Sequence, residues 1–396
     1  MKTLHLIQEP PRPAPARWAL WDLGFRPFYL LASAFAALSV GLWALQFGGH
    51  LPSPYLAGPL WHAHEMLFGF TLAVIVGFLF TAGRNWTGRA TPTGPLLAAL
   101  AALWLAARVL LLTPYAWAAA LANVAFPLAC AAALAVPFVG ARNRRNYFFV
   151  ALLAALGAAA AVIHLDRLGL LGLPAWLGVQ LALDVVLFIL AVMGGRVIPM
   201  FTNNGVPGAG ARRIGWLDRM ALGTVLAALA VDALQVPPLA AGFVFAIAGL
   251  AHAARWSAWK PWRTGRQPLV WVLHLGYAWI PLHLLLRALA AWGVVAPSLA
   301  THALTVGAVG GLVIGMMTRT AKGHTARPLR ADRWDVAAYA CIAAAAAVRI
   351  AMPLAWPAQL LPAVTASALL WSAGFAIYFV RYWPVLTRSR LDGQPG

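Results

Sequence analysis

Twelve apolar runs of about 20 residues, separated by short connections, constrain what this chain can fold into more than any other feature of it. Coiled as an α-helix, a run of that length spans the hydrocarbon of a bilayer, where only a helix or a closed barrel satisfies its own backbone. The runs lie near Phe28 to Phe47, Leu60 to Ala82, Gly94 to Leu112, Tyr115 to Val139, Tyr147 to His164 and Pro174 to Ile198, then near Ile214 to Ala233, Val236 to Trp256, Pro268 to Trp292, Leu299 to Thr320, Trp334 to Met352 and Gln359 to Tyr382. The predicted fold class is all-α, a polytopic membrane bundle of about twelve transmembrane helices. Composition agrees: with 62% hydrophobic and 10% charged residues, the 396-residue chain lacks the charge that clothes a soluble fold.

Basic residues orient the bundle. Arg12, Arg17 and Arg26 precede the first run. Every second connection is then basic, through Arg84 and Arg89, Arg142 to Arg145, Arg212 and Arg213, Arg255 to Arg266, and Lys322 to Arg333, with Arg388 and Arg390 in the tail. The intervening connections hold only Arg167, so the positive-inside rule places both termini in the cytoplasm. The formal charge of +19 thus reads as a topology signal rather than a nucleic-acid surface, and no nucleic-acid partner is expected. Residues 1–26, with prolines at 10, 11, 13 and 15, read as a flexible cytoplasmic lead-in, 27–383 as a single transmembrane domain, and 384–396 as a cytoplasmic tail. The first 20 residues lack the compact apolar core of a cleavable signal peptide. Cys130 and Cys341 both fall in apolar runs, which excludes a disulfide framework and a CxxC site. Walker, GxGxxG, HExxH and nucleophile-elbow motifs are all missing.

Chemistry must then reside among the helices. The second run carries His62, His64 and Glu65 at its outer entrance, where ionisable groups are costly unless used. Residues two apart on a helix point about 200° apart, so His62 and His64 serve different sites. His64, Gly69, Gly77, Thr87 and Arg89 share their mutual spacing with His302, Gly307, Gly315, Thr325 and Arg327. That match nominates His64 as the partner or counterpart of His302, and leaves His62 for a second haem or a copper ion. Two imidazoles at one depth on different helices are what a six-coordinate haem in a bundle requires. His274, on the ninth helix, sits nearer the cytoplasm, where His252 and His324 could join it in an inner site, whereas His5, His50 and His164 read as interfacial. Arg108, Arg287 and Arg349 fall at outer helix ends, against the positive-inside rule, and need anionic partners such as haem propionates unless they snorkel. Glu65 and Asp184 are the candidate catalytic carboxylates, through a proton path, with a paired arginine as the structural alternative. Glycines 307, 311 and 315 form a doubled GxxxG, read either as close helix packing or as a flat wall for a macrocycle. The ends of the second, sixth and tenth helices (FTAGRNWTGR, VMGGRVIPMFTNN, GMMTRTAKGHTARP) also hint at a four-helix unit taken three times.

In these residues the chain resembles the NnrS family, membrane proteins associated with the bacterial response to nitric oxide. The resemblance is carried by Gly24-Phe25-Arg26-Pro27-Phe28, WHAHEMLFGF at 61–70, NWTGR at 85–89, GGRVIPMFT at 194–202, LHLGYAWIPL at 273–282 and HALTVGAVGGLVIGMMTR at 302–319. It implies haem and copper, with His62, His64, His274, His302 and, less directly, His324 as the motif histidines. Twelve helices with histidines on the second and tenth are also similar in layout to the haem-copper oxidase and nitric oxide reductase catalytic subunit. The sixth and seventh helices here lack the histidines that such a copper site needs.

The expected protein is a multi-pass haem protein of the bacterial inner (cytoplasmic) membrane, holding one or two b-type haems and, as the resemblance implies, copper. It would bind, reduce or otherwise detoxify nitric oxide, as a membrane haem oxidoreductase if it turns over, drawing electrons from quinol or another donor. The competing reading is a proton-coupled transporter exporting a small nitrosylated or related molecule, with Asp184 as the coupling group.

Overall fold

The structure, a computed structural model, describes residues 17–50 and 55–394. Prolines 10, 11, 13 and 15, Arg12 and His5 lie outside these residues. Twelve long helices account for the described chain, and they are the twelve expected. They are α1 (Phe25–Phe47), α2 (Gly58–Thr87), α3 (Gly94–Leu110), α4 (Ala116–Gly140), α5 (Phe148–Arg167), α6 (Ala175–Gly205), α7 (Gly215–Ala233), α8 (Pro238–Ala258), α9 (Pro268–Ala291), α10 (Pro297–His324), α11 (Arg333–Ala355) and α12 (Leu360–Thr387). Ten are long and apolar enough to cross a membrane, which makes this a multi-pass membrane protein. Of the other two, α3 is only 17 residues long. The other, α7, carries Asp218, Arg219 and Asp232.

Short connections force consecutive helices to run antiparallel, and each packs against the next around the bundle until α12 returns to α1. An even number of passes brings both ends to one face: Ala19 donates its N–H to the Thr387 carbonyl (2.8 Å) and Ser389 to that of Arg17 (3.2 Å). Arg26, fully buried, bonds the Leu386 and Arg388 carbonyls at 3.0 and 2.7 Å and seals this basic face. The opposite face carries His62, His64 and His302 and is called the histidine face below.

Helices α2 and α10 outrun the apolar stretches that announced them. Hydropathy marks where hydrocarbon ends, whereas a helix continues until the backbone turns out of it. Here the turn is a left-handed residue, Gly88 (φ 65°) after α2 and Ala326 (φ 58°) after α10. Both helices also contain a seven-residue π-helical segment, Glu65–Thr71 and Ala303–Val309. The residue before each segment is one of the spacing-matched histidines, His64 and His302. The sequence match therefore has a structural counterpart: a proline-led entry, a histidine, a π segment and a left-handed exit. Helix α6 has no such segment, so this feature is repeated twice and not three times.

Between α9 and α10 the doubled GxxxG is a packing device. A Cβ on Gly311 would stand 2.8 Å from the Gly276 Cα, and one on Gly315 would meet Val272 and Leu273. Helix α9 thus fills the glycine stripe, by backbone approach at Gly311 and with the Trp279, Val272 and Leu273 side chains at Gly307 and Gly315, leaving no flat wall for a macrocycle.

Candidate functional site

Three polar groupings occupy the histidine-face half of the bundle. The first builds outward from Glu65, which is 1% exposed. Its carboxylate pairs with the Arg108 guanidinium from α3, which also reaches the Asn123 amide oxygen on α4. Glu65 accepts from His64 Nδ1 (3.1 Å), and His64 Nε2 lies 3.2 Å from His164 Nε2, whose Nδ1 is 3.0 Å from the Tyr55 hydroxyl. The partners fix the direction of every bond. A carboxylate only accepts, so His64 carries its proton on Nδ1 and presents a lone pair from Nε2 to the His164 Nε2–H. His164 Nδ1 then accepts from Tyr55. The result is a directed chain, Tyr55 to His164 to His64 to Glu65, held by one guanidinium. His164, expected at the interface, is 1% exposed because α5 continues past it to Arg167 and Tyr55 folds over its ring.

The second grouping pairs His302 not with His64 but with His62. Their rings are 13° from parallel with centroids 6.5 Å apart, and Trp43 of α1 stacks on His62 at 4.9 Å. His62 and His64 thus face different ways, as two positions separated by about 200° must. His302 donates Nδ1–H to the Ser298 carbonyl (2.6 Å), which leaves its Nε2 with a lone pair. His62 Nδ1 is buried without a hydrogen-bond partner, and so is Nη1 of Arg349, whose charge is felt by both rings. Buried polar atoms without a protein partner are ones that a bound group or water would satisfy; His274 Nδ1 and His283 Nε2 are left so as well, and what sets this pair apart is the second ring facing it.

The third grouping is an ion cluster. Arg287 bonds Asp184 (3.1 Å) and Asp232 (2.5 Å), and the Gln180 amide nitrogen bridges the same two carboxylates at 3.2 and 3.3 Å. Arg287 also lies over the Phe245 ring at 3.9 Å. Two carboxylates thus share a single guanidinium, and the second oxygen of Asp184 is buried and unpartnered.

The three outer arginines consequently differ. Arg108 is committed to Glu65 and Asn123 through both terminal nitrogens, with only its Nε left unpartnered, and Arg287 to two aspartates, whereas Arg349 keeps a terminal N–H, Nη1, buried and free to offer.

Toward the basic face the expected inner histidines do not converge. His274 Nε2 contacts the Thr202 hydroxyl (2.8 Å), His252 lies between Tyr277 (2.8 Å) and the Ala221 carbonyl (3.0 Å), and His324 packs on the Phe25 ring (5.6 Å). Among the described residues no three His, Cys, Asp or Glu side chains come together as a metal cluster. Tyr277 and Arg255 fit there because Gly194 and Gly195 of α6 have no side chains: a Cβ at either would run into them.

Sequence reading missed His164, Asn123, Gln180 and Asp232. For Asn123 and Gln180 the signal was present, since a polar amide inside an apolar run also costs free energy unless it is hydrogen-bonded, though less than the arginines that were singled out.

A family model described as NnrS protein matches residues 19–390, nearly the whole chain. No match was found among curated proteins.

Proposed function

Since the chain belongs to the NnrS family, we propose that it is a haem-bearing protein of the bacterial inner membrane that binds nitric oxide and reduces or otherwise detoxifies it. The observation that carries this reading is the His62–His302 pair: two near-parallel imidazoles 6.5 Å apart, with an orphaned ring nitrogen and, within electrostatic reach, an orphaned guanidinium N–H. His62 and His302 would hold the iron, Arg349 would receive an anionic edge substituent such as a propionate, and Trp43 would wall one side. When bound, the iron supplies the affinity for nitric oxide and the redox chemistry.

The protein's own groups do the rest. The Ser298 carbonyl fixes the His302 tautomer, and Trp43 holds the His62 ring in place. The Tyr55–His164–His64–Glu65 chain lies on the other side of the same helix entrance and can pass a proton inward from Tyr55 to Glu65. Copper, if resident, has the facing Nε2 atoms of His64 and His164 as its best-placed ligands, in place of the hydrogen bond between them. Quinol or another donor would supply electrons.

Purified protein tests this reading. It should be coloured, contain iron, and change its visible spectrum on addition of nitric oxide; a colourless, iron-free preparation overturns it. In that case the transporter reading gains, for which the two carboxylates sharing Arg287 are the supporting observation, because such a pair holds a proton readily.

A further inference from the structure

A cavity of about 340 Å³ opens near the basic face between α5, α6, α7 and α8. Arg145, Arg196, Arg213 and Arg255 line it, with Asp218 as the one acid among the lining residues. Asp218 is already taken, bonding Arg255 at 2.7 Å and Arg213 at 3.4 Å. Arg255 is buried and anchored further by the Ala191 carbonyl (2.9 Å) and the Tyr277 hydroxyl (3.1 Å). Arg196 has one nitrogen on Asn146 (2.9 Å) and its guanidinium against the rings of Trp86, Phe148 and Phe149. Arg145 and Arg213 approach it closely enough to repel it.

Four guanidiniums thus surround one concavity with a single carboxylate to balance them. Like charges gathered around a hollow at a membrane face are costly unless an anion belongs there. The other walls, including Phe188, Val192 and Leu222, are apolar. We propose that this cavity binds a phosphate-bearing anion, with an anionic phospholipid as its source: guanidiniums take the headgroup phosphate and the apolar walls take the start of the acyl chains. Nothing in the haem proposal requires this site, and the basic-face arginines act here as a binding surface rather than as topology signals alone.

Full-length protein, stripped of lipid in mild detergent, is titrated with phosphatidylglycerol, phosphatidylcholine and inorganic phosphate, and bound ligand is read by native mass spectrometry. Phosphatidylglycerol should bind more tightly than phosphatidylcholine. The double variant Arg145→Ala/Arg213→Ala should lose about twenty-five-fold of that affinity, each surface arginine contributing roughly fivefold. Both side chains are at the surface, so unchanged helix content certifies the variant. Competition by inorganic phosphate would assign the same site to a soluble anion, whereas its failure to compete assigns it to the lipid headgroup. Equal binding of the two lipids together with no phosphate binding overturns the proposal, as does a double variant with undiminished affinity.

Discussion

His62 and His302 lie with their rings 13° from parallel and their centroids 6.5 Å apart, although one belongs to α2 and the other to α10. Neither ring is satisfied in the way that His64 is. His64 uses both nitrogens, on Glu65 and His164, whereas His62 Nδ1 has no protein partner and His302 Nε2 keeps its lone pair. Of the two histidines at the α2 entrance, the haem proposal therefore uses His62 and leaves His64 to hydrogen bonding.

The Glu65–Arg108 pair should be costly to break from one side. Arg108→Ala leaves a carboxylate buried without its cation and should destabilise the protein by about 3–5 kcal/mol, while the double change Glu65→Gln/Arg108→Gln should cost much less. Thermal unfolding in detergent separates the two; equal losses would mean that the pair does not hold this corner of the bundle.

Around Arg287 the asymmetry is of another kind. With two aspartates sharing one guanidinium, Asp184→Asn leaves a balanced pair and should cost about 1 kcal/mol or less, whereas Arg287→Leu should cost about 3–5 kcal/mol. A severe Asp184→Asn phenotype and a mild Arg287→Leu phenotype would contradict this charge count.

Close approach of α9 and α10 depends on Gly276 and Gly311. Gly311→Leu would drive its side chain into the Gly276 backbone and should cost about 1–3 kcal/mol or more by overpacking. Gly41→Leu, where nothing lies within 4 Å of the added Cβ, is the matched control and should not lower the melting temperature.

Helix number and order were legible in the sequence because hydrocarbon thickness and basic connections leave so little freedom. The fates of individual histidines were not. Spacing linked His64 to His302, and the structure gives that link a meaning, since each immediately precedes a π segment. Equivalent places in a repeat are not the same as contact, however, and the ring that meets His302 belongs to His62. Periodicity within one helix gives the angle between His62 and His64 but not which neighbour stands at each angle. That depends on where α1, α5 and α10 come to rest. The same holds for Arg287: its charge was visible, but Asp232 approaches it only through the packing of α7 on α6.

The visible absorption spectra of His62→Ala, His302→Ala and His64→Ala, purified side by side with the unmodified protein, test the central proposal most directly. Loss of the bis-imidazole haem spectrum in the first two variants, with the spectrum kept in His64→Ala, is the expected result. A spectrum lost in His64→Ala but unchanged in His62→Ala and His302→Ala contradicts it.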